Sequence, residues 1–506
     1  MTRSAFNAAS RAAALDALAS DTLDVLIIGG GITGAGAARD AAMRGLRVAL
    51  VERDDFASGT SSRSSRLIHG GVRYLEHGDF HLVFEASRER RVLLTIAPDL
   101  VRPLRFTWPV YKGARVPRWK LRAALTLYDA LALFRNIEPH HMRSVAELEA
   151  LEPKLRRDGL VGGATYYDAG TDDARLTLAT VRAAADAGAL VINHATVRTI
   201  AMEAGAVSGA ELECTLTGRT VRAAARVIVN ATGPWSDSVR QLVDPAAGGG
   251  VRGTKGAHIT VPRARVGNEA AIAITHPRDG RVMFILPAGK FAIVGTTDTD
   301  YTGPLDDVCA SNADVEYLLE AANHYAPEAK LARNDVVAAW AGIRPLVASD
   351  ASTTAAVSRE HVIATTVPGM LSVTGGKLTT YRLMGAQIID LAERHLGRTP
   401  HRVPTDTVVM RDESPAYAGA EARLIAPESA WRWGDVRRAV REEMALTVAD
   451  VLIRRTTLAF ELRDNGRALA PAVAQVMAKE LGWNAGRETA ELVRYGREAG
   501  RMFRVE

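Results

Sequence analysis

The sequence predicts a mixed α/β chain with a parallel-stranded unit first, antiparallel strands in the middle and a helical domain last. Three observations predict it. A β-branched run passes directly into Gly-x-Gly-x-x-Gly and an alanine-rich helix in DVLIIGGGITGAGAARDAAMRG. Short apolar strands broken by Gly and Pro turns recur between about residues 225 and 375. From about residue 405, apolar residues return at helical spacing.

The first unit reads in order. Asp24 to Ile28 is a buried parallel strand, a helix runs to about Arg44, and Arg47 to Val51 is a second strand closed by Glu52. Gly29 permits the tight turn, Gly31 lets backbone approach a diphosphate, and Gly34 lets the helix lie close on the strand. The helix N-terminus offers free N–H groups to phosphate oxygens. Glu52 stands where a carboxylate accepts ribose hydroxyls, which favours NAD or FAD over NADP. The following stretch, ERDDFASGTSSRSSRLIHGGVRYLE, does not enter another helix–strand repeat. It gathers hydroxyls, cations, an imidazole and bare backbone, and Thr60, Ser61 and Ser62 can bond a diphosphate. That continuation favours FAD.

Further along, ARVIVNATGPWSD is a strand, Val227 to Asn230, that ends at Gly233, where a cofactor can approach. Residues 252–262 and 284–301 read as antiparallel strands of a second, substrate-side domain. AAWAGIRPLV follows at 338–347. LSVTGGKLTTYRLMGAQIIDLAERHL reads as strand, Gly375–Gly376 loop and amphipathic helix, a second helix N-terminus able to face the cofactor. In the C-terminal domain, Val436, Ala439, Val440 and Met444 recur at helical spacing, and Arg454 and Arg455 read as salt-bridged surface.

Composition bounds the rest. With 506 residues, 47% hydrophobic and 24% charged, the chain reads as globular with two or three domains. A net charge of +5 gives no reason to expect nucleic acid. Only eight of 63 basic residues are Lys, which draws notice to Lys255 and Lys377, both read in Gly-flanked loops. Cys214 and Cys309 lie too far apart in sequence for a disulfide scaffold and fit a reducing cytoplasm. No apolar run reaches 18 residues, and no secretory signal is read at the N-terminus. No metal site is read. Residues 100–128 contain no acid but carry seven cations with Trp108 and Trp119, ahead of an apolar stripe of Leu121, Leu125, Tyr128 and Leu131. Peripheral membrane contact through residues 100–134 is the favoured reading, and a core-packed helix with a basic cap is the alternative.

Taken together, SSRSSRLIHGGVRYLE, YYDAGTDDARLTLATVRAAADAGA, VNATGPW, KGAHITVP, GTTDTDY, WAGIRPL and GGKLTTYR resemble the FAD-dependent glycerol-3-phosphate dehydrogenase family, from about residue 20 to the C-terminal helices. The resemblance implies an amino-acid oxidase-like fold. A Rossmann-type FAD-binding domain (about 20–95, 170–255 and 340–400) is interleaved with an antiparallel-sheet substrate domain (about 96–169 and 256–339). A helical domain spans 405–506. It implies FAD as cofactor and oxidation of sn-glycerol 3-phosphate to dihydroxyacetone phosphate. In membrane-associated bacterial members quinone takes the electrons, so the chain is expected in the cytoplasm, bound at the inner face of the membrane. The oligomeric state is not set by the sequence; a homodimer stays open.

By the same resemblance Arg73, Arg344, Arg359 and Lys377 are the cations for the substrate phosphate, with Tyr74 against the pocket. His69 is the first choice as base and His258 the second; Lys377 or Arg344 can stabilise developing negative charge. Gly70 and Gly71 are expected to lie against the flavin, with Lys377 and Leu378 beside it. Two enzymatic rivals remain: an oxidase in which O2 re-oxidises the flavin, and an amine or amino-acid oxidase of the same fold. A flavin-binding scaffold without turnover is a third reading.

Overall fold

The structure, a computed structural model, describes residues 4–348 and 360–506. Two sheets organise it. In the first, the strand Leu23–Ile28 lies between Thr220–Asn230 and Val48–Val51, parallel to both. Leu190–Ile192 and Met370–Gly375 extend the parallel set on either side, and His361–Val367 closes one edge antiparallel. All of Leu23–Ile28 and Val48–Val51 is buried, as strands covered on both faces require. The helix Ile32–Met43 packs on this sheet and against the helices Asp173–Asp186 and Tyr381–His395.

The second sheet is largely antiparallel. Its strands run in the order Thr299–Asp300, Val251–Pro262, Phe291–Gly295, Val282–Ala288, Ala271–Thr275, Arg102–Tyr111, Leu160–Gly170 and Leu67–Ile68. Ala338–Val347 pairs along Val251–Pro262. The two-residue strand Leu67–Ile68 carries the serine-rich stretch into this sheet, so the loops after it lie between the sheets, beyond the C-terminal ends of the parallel strands. Open α/β sheets place their ligands there.

Several expectations change. Thr220–Asn230 is far longer than the four residues read from sequence, because its first half pairs antiparallel with Ala206–Cys214 in an arm beside the parallel core. Lys255 sits within a strand, not a loop, and its ammonium lies 2.7 Å from Asp314. In the C-terminal region the α-helices are Trp433–Glu442, Leu458–Glu461, Ala470–Leu481 and Ala485–Phe503, with a π-helical turn Asp450–Arg455; residues 405–432 hold no α-helix, only the 3-10 turn Gly419–Ala422 and a bridge between Leu424 and Arg432. Met444 is buried beyond the end of its helix. Arg454 and Arg455 are salt-bridged but buried, not on the surface.

The basic segment divides in two. Arg102–Tyr111 is a strand and Arg118–Leu131 a helix. Leu121, Leu125 and Tyr128 turn inward and are fully buried, so this stripe packs the core and does not face lipid. Trp108 is buried as well. The outward apolar residues are instead Trp119, 74% exposed, and Phe134, 71% exposed, with Leu127 and Leu133. No helix among the described residues is long and apolar enough to cross a membrane.

Candidate functional site

A cavity of about 530 Å3 opens between the sheets. Gly29, Gly31, Glu52, Thr60, Ser61, Gly233, Gly375, Gly376, Lys377 and Leu378 line it, with His69, Tyr74, His258 and Arg344 at the same lining. Thus most of the residues singled out in sequence converge, although they come from five separated stretches of chain.

The local geometry follows from residue type. Gly29 has φ +109°, and a Cβ there would meet Ala231 O at 2.6 Å. At Gly34 a Cβ would stand 2.0 Å from Gly29 O; this glycine serves helix-on-strand contact and does not line the cavity. The helix Ile32–Met43 starts at Gly31 without a side-chain cap from that residue, and Ile32 N donates to Ser61 Oγ at 2.9 Å. Glu52 accepts from Gly30 N at 2.7 Å and from Asp54 N at 3.0 Å, and burial raises its pKa. Thr60 Oγ1 donates to Ile343 O at 2.7 Å, tying the serine-rich turn to the second sheet.

Three further residues expected at the cofactor do not line the large cavity. Ser62 is buried behind the turn and outside the cavity lining. Gly70 N donates to Tyr128 OH at 2.9 Å and to Asp168 Oδ1 at 3.2 Å, and a Cβ on Gly70 would meet Tyr128 OH at 2.4 Å. Gly70 is therefore small for the sake of Tyr128. Gly71 lines a second, smaller cavity, not the large one.

This smaller cavity, of about 160 Å3, adjoins the first through Ser65, Leu67, His69, Tyr74 and Arg344, which line both. Phe106, Trp108, Tyr166 and Phe284 give it apolar walls. Arg344 reaches Asp298 at 3.1 Å and Thr296 Oγ1 at 3.1 Å; Arg281 reaches the other oxygen of Asp298 at 3.0 Å. Two guanidiniums thus share one carboxylate at the cavity. The Lys377 ammonium lies 3.6 Å from the centre of the Tyr74 ring. Arg73 sits in the turn Val72–His77, and its side chain lies outside what the structure describes, as does the whole of Arg359.

The two histidines differ. His258 is buried, stacks on Trp340 at 5.4 Å and has Nε2 2.9 Å from Ser65 Oγ. Burial, then Arg344 and Arg66, pushes its pKa down to about 3. His69 is only partly buried. Thr379 Oγ1 bonds both its backbone N–H, at 3.1 Å, and its carbonyl, at 3.2 Å, which pins the His69 loop to the Lys377 loop.

Sequence reasoning missed Arg63, Ser65 and Arg281. Arg281 stands in an ordinary turn, HPRDGRV, and nothing local marks it. Arg63 was visible in SSRSSR but could not be distinguished from its neighbours. It lines the large cavity, burial lowers its pKa to about 10, and its Nε has no hydrogen-bond partner among the described residues. A half-buried cation, a helix N-terminus with Ser61 at its first N–H and an anchored carboxylate in one cavity are the groups that a dinucleotide with a diphosphate and a ribose calls for.

Residues 24–382 match the FAD-dependent oxidoreductase family, and residues 403–488 match the C-terminal domain of alpha-glycerophosphate oxidase. A glycerol-3-phosphate dehydrogenase of Mycobacterium leprae is 36% identical, covering 97% of this chain and 90% of its own. The chain belongs to the FAD-dependent glycerol-3-phosphate dehydrogenase family. Its cofactor is FAD. The aerobic glycerol-3-phosphate dehydrogenase of Bacillus subtilis is 37% identical over 77% of this chain and 70% of its own. Among solved structures, the glycerol-3-phosphate dehydrogenase of Bacillus halodurans complexed with FAD superposes with a TM-score of 0.79 at 27% identity, covering 99% of this chain and 100% of that one. A glycine oxidase of Geobacillus kaustophilus, TM-score 0.58 at 24% identity, covering 78% of this chain and 100% of that one, shares the fold.

Proposed function

We propose that the chain oxidises the secondary hydroxyl of sn-glycerol 3-phosphate to the ketone of dihydroxyacetone phosphate and passes the electrons to a quinone. The observation that carries the reading is the Arg281–Asp298–Arg344 cluster at the smaller cavity, beside His69. A phosphate dianion needs more than one cation, and planar guanidiniums can bind it bidentately. Amino-acid substrates ask for a single carboxylate partner, so the doubled guanidinium favours the phosphate.

FAD in the large cavity supplies the acceptor for the hydride that leaves C2. Gly31, Ser61 and Arg63 would face its diphosphate and Glu52 its ribose. His69 takes the hydroxyl proton as the carbonyl forms; it lines both cavities, where substrate and flavin would meet. His258, held neutral and acid-resistant by its surroundings, fits an orienting hydrogen-bond partner better than a base. Lys377 and Arg344 offset negative charge on the developing alkoxide.

Quinone as acceptor is supported by the surface of the Arg118–Leu131 region. Trp119, Leu127, Leu133 and Phe134 project outward among Arg118, Arg122 and Arg135, a combination suited to an anionic bilayer on the cytoplasmic side.

The test is anaerobic mixing of the flavin-loaded protein with sn-glycerol 3-phosphate. Bleaching of the visible flavin band by this compound, and not by glycerol or glycine, is expected. No bleaching would overturn the substrate. Re-oxidation by a soluble quinone analogue faster than by O2 is expected; rapid peroxide release would replace quinone with oxygen.

A further inference from the structure

We infer that the C-terminal helical domain holds the turn carrying Glu52 from behind, and so sets the affinity for FAD without touching it. Arg454 and Arg455, at the end of the π-helical turn Asp450–Arg455, converge on Asp55, three residues after Glu52. Asp55 accepts from Arg454 Nε at 2.8 Å, Arg455 Nη1 at 2.6 Å, Arg455 Nη2 at 2.9 Å and Asn193 Nδ2 at 2.9 Å. Four donors on two oxygens leave that carboxylate one orientation.

The turn is fixed on both flanks as well. His194 N donates to Asp54 O at 2.6 Å, and Ala57 N donates to Gly30 O at 3.0 Å, inside the glycine-rich turn. His194 itself belongs to the same cluster. Its Nε2 lies 3.0 Å from Asp450 Oδ2, and its Nδ1 lies 3.3 Å from Arg494 Nη2. Glu498 completes the set, 2.6 Å from Arg454. Asp55, His194 and Asp450 bring their ligand atoms within 4.8 Å of one another, and the arginines supply the positive charge such a cluster needs.

Adhesion between the domains does not require these charges. Phe460 of the C-terminal domain already packs against Trp340 of the second sheet, with Phe503 against Phe460 in the same apolar cluster. A buried ion cluster adds little net adhesion over apolar side chains of the same volume. What it adds is direction, and the direction here falls on the segment between Gly30 and Asn193 that presents Glu52 to the cavity. Burial alone would raise the Asp55 pKa; the two guanidiniums overcome it and keep the carboxyl below its ordinary range, so the clamp stays charged.

The experiment titrates FAD into full-length apoprotein by flavin fluorescence and compares three variants. Arg455→Met is expected to weaken FAD binding ten-fold or more, and Arg455→Lys by less. Asp435→Asn removes the charge from the carboxylate that accepts from Arg432 N and Tyr417 OH at the start of the helix Trp433–Glu442, and so loosens the same domain away from the Glu52 turn. It is expected to lower the unfolding temperature and leave FAD affinity unchanged. Equal weakening by Asp435→Asn and Arg455→Met, or unchanged affinity in Arg455→Met, overturns the clamp. Hydrogen exchange on the native chain gives the answer should Arg455→Met not fold. By reciprocity, FAD must slow exchange at residues 450–455, which lie outside the cavity lining. Slowing at 29–34 alone would overturn the proposal.

Discussion

His258 Nε2 lies 2.9 Å from Ser65 Oγ, with the imidazole stacked on Trp340 and its pKa pushed down to about 3. The ring therefore stays neutral throughout the range in which the enzyme is expected to work. The acid limb of the pH profile of kcat/KM should persist in His258→Gln and disappear, with most of kcat, in His69→Gln; the profile of each variant checks this.

The same burial fixes a sign for stability. Folded His258 binds its proton less readily than the unfolded residue, whose pKa is about 6.5. Stability thus rises with pH across the window from about 3 to about 6.5 and is lost as pH falls through it, by up to about 1.4 kcal/mol per unit. Urea unfolding at several pH values should show that slope reduced in His258→Gln.

Arg281 is expected to bind the substrate phosphate. Arg281→Leu should raise KM for sn-glycerol 3-phosphate about 10- to 100-fold, the equivalent of a charged hydrogen bond of about 1.5–3 kcal/mol, with little change in FAD content. Steady-state kinetics with a flavin assay on the same sample measures both. Unchanged KM would remove Arg281 from the site.

Arg90, Asp168 and Tyr128 form a buried group behind Gly70. Tyr128 OH donates to Asp168 Oδ1 at 2.6 Å and accepts from Arg90 Nη1 at 2.8 Å, while Arg90 also pairs with Asp168 directly. Asp168→Asn leaves the Arg90 charge buried without its counter-ion and should cost about 3–5 kcal/mol of stability. Tyr128→Phe removes one hydroxyl and should cost about 1–3 kcal/mol. Denaturant titration of the FAD-loaded protein gives both.

For the outward apolar residues, Trp119→Ser with Phe134→Ser should weaken sedimentation with anionic vesicles and leave FAD reduction by substrate in solution unchanged. Vesicle binding equal to that of the unaltered protein would place the membrane contact elsewhere.

The FAD unit was legible because its signals are local: strand, glycine turn, helix, strand and Glu52 occupy one short stretch, and Gly34 answers a contact with Gly29 within it. The motifs around His69 and Lys377 were legible as motifs for the same reason. Three-dimensional placement was not. Arg281 meets Arg344 only because Val282–Ala288 and Ala338–Val347 lie in one sheet. The stripe Leu121, Leu125 and Tyr128 has the same spacing whether it faces lipid or core, and only packing shows that it faces the core.

By itself the sequence determined the order of elements, the dinucleotide turn and the cofactor class, since backbone sterics and side-chain periodicity act over a few residues. Only the tertiary structure decided which histidine stays neutral, which arginines share Asp298, and that Arg454 and Arg455 are core residues on Asp55. Those outcomes depend on burial and on charges hundreds of residues apart in the chain, such as Asp55 and Arg455, which no local pattern records.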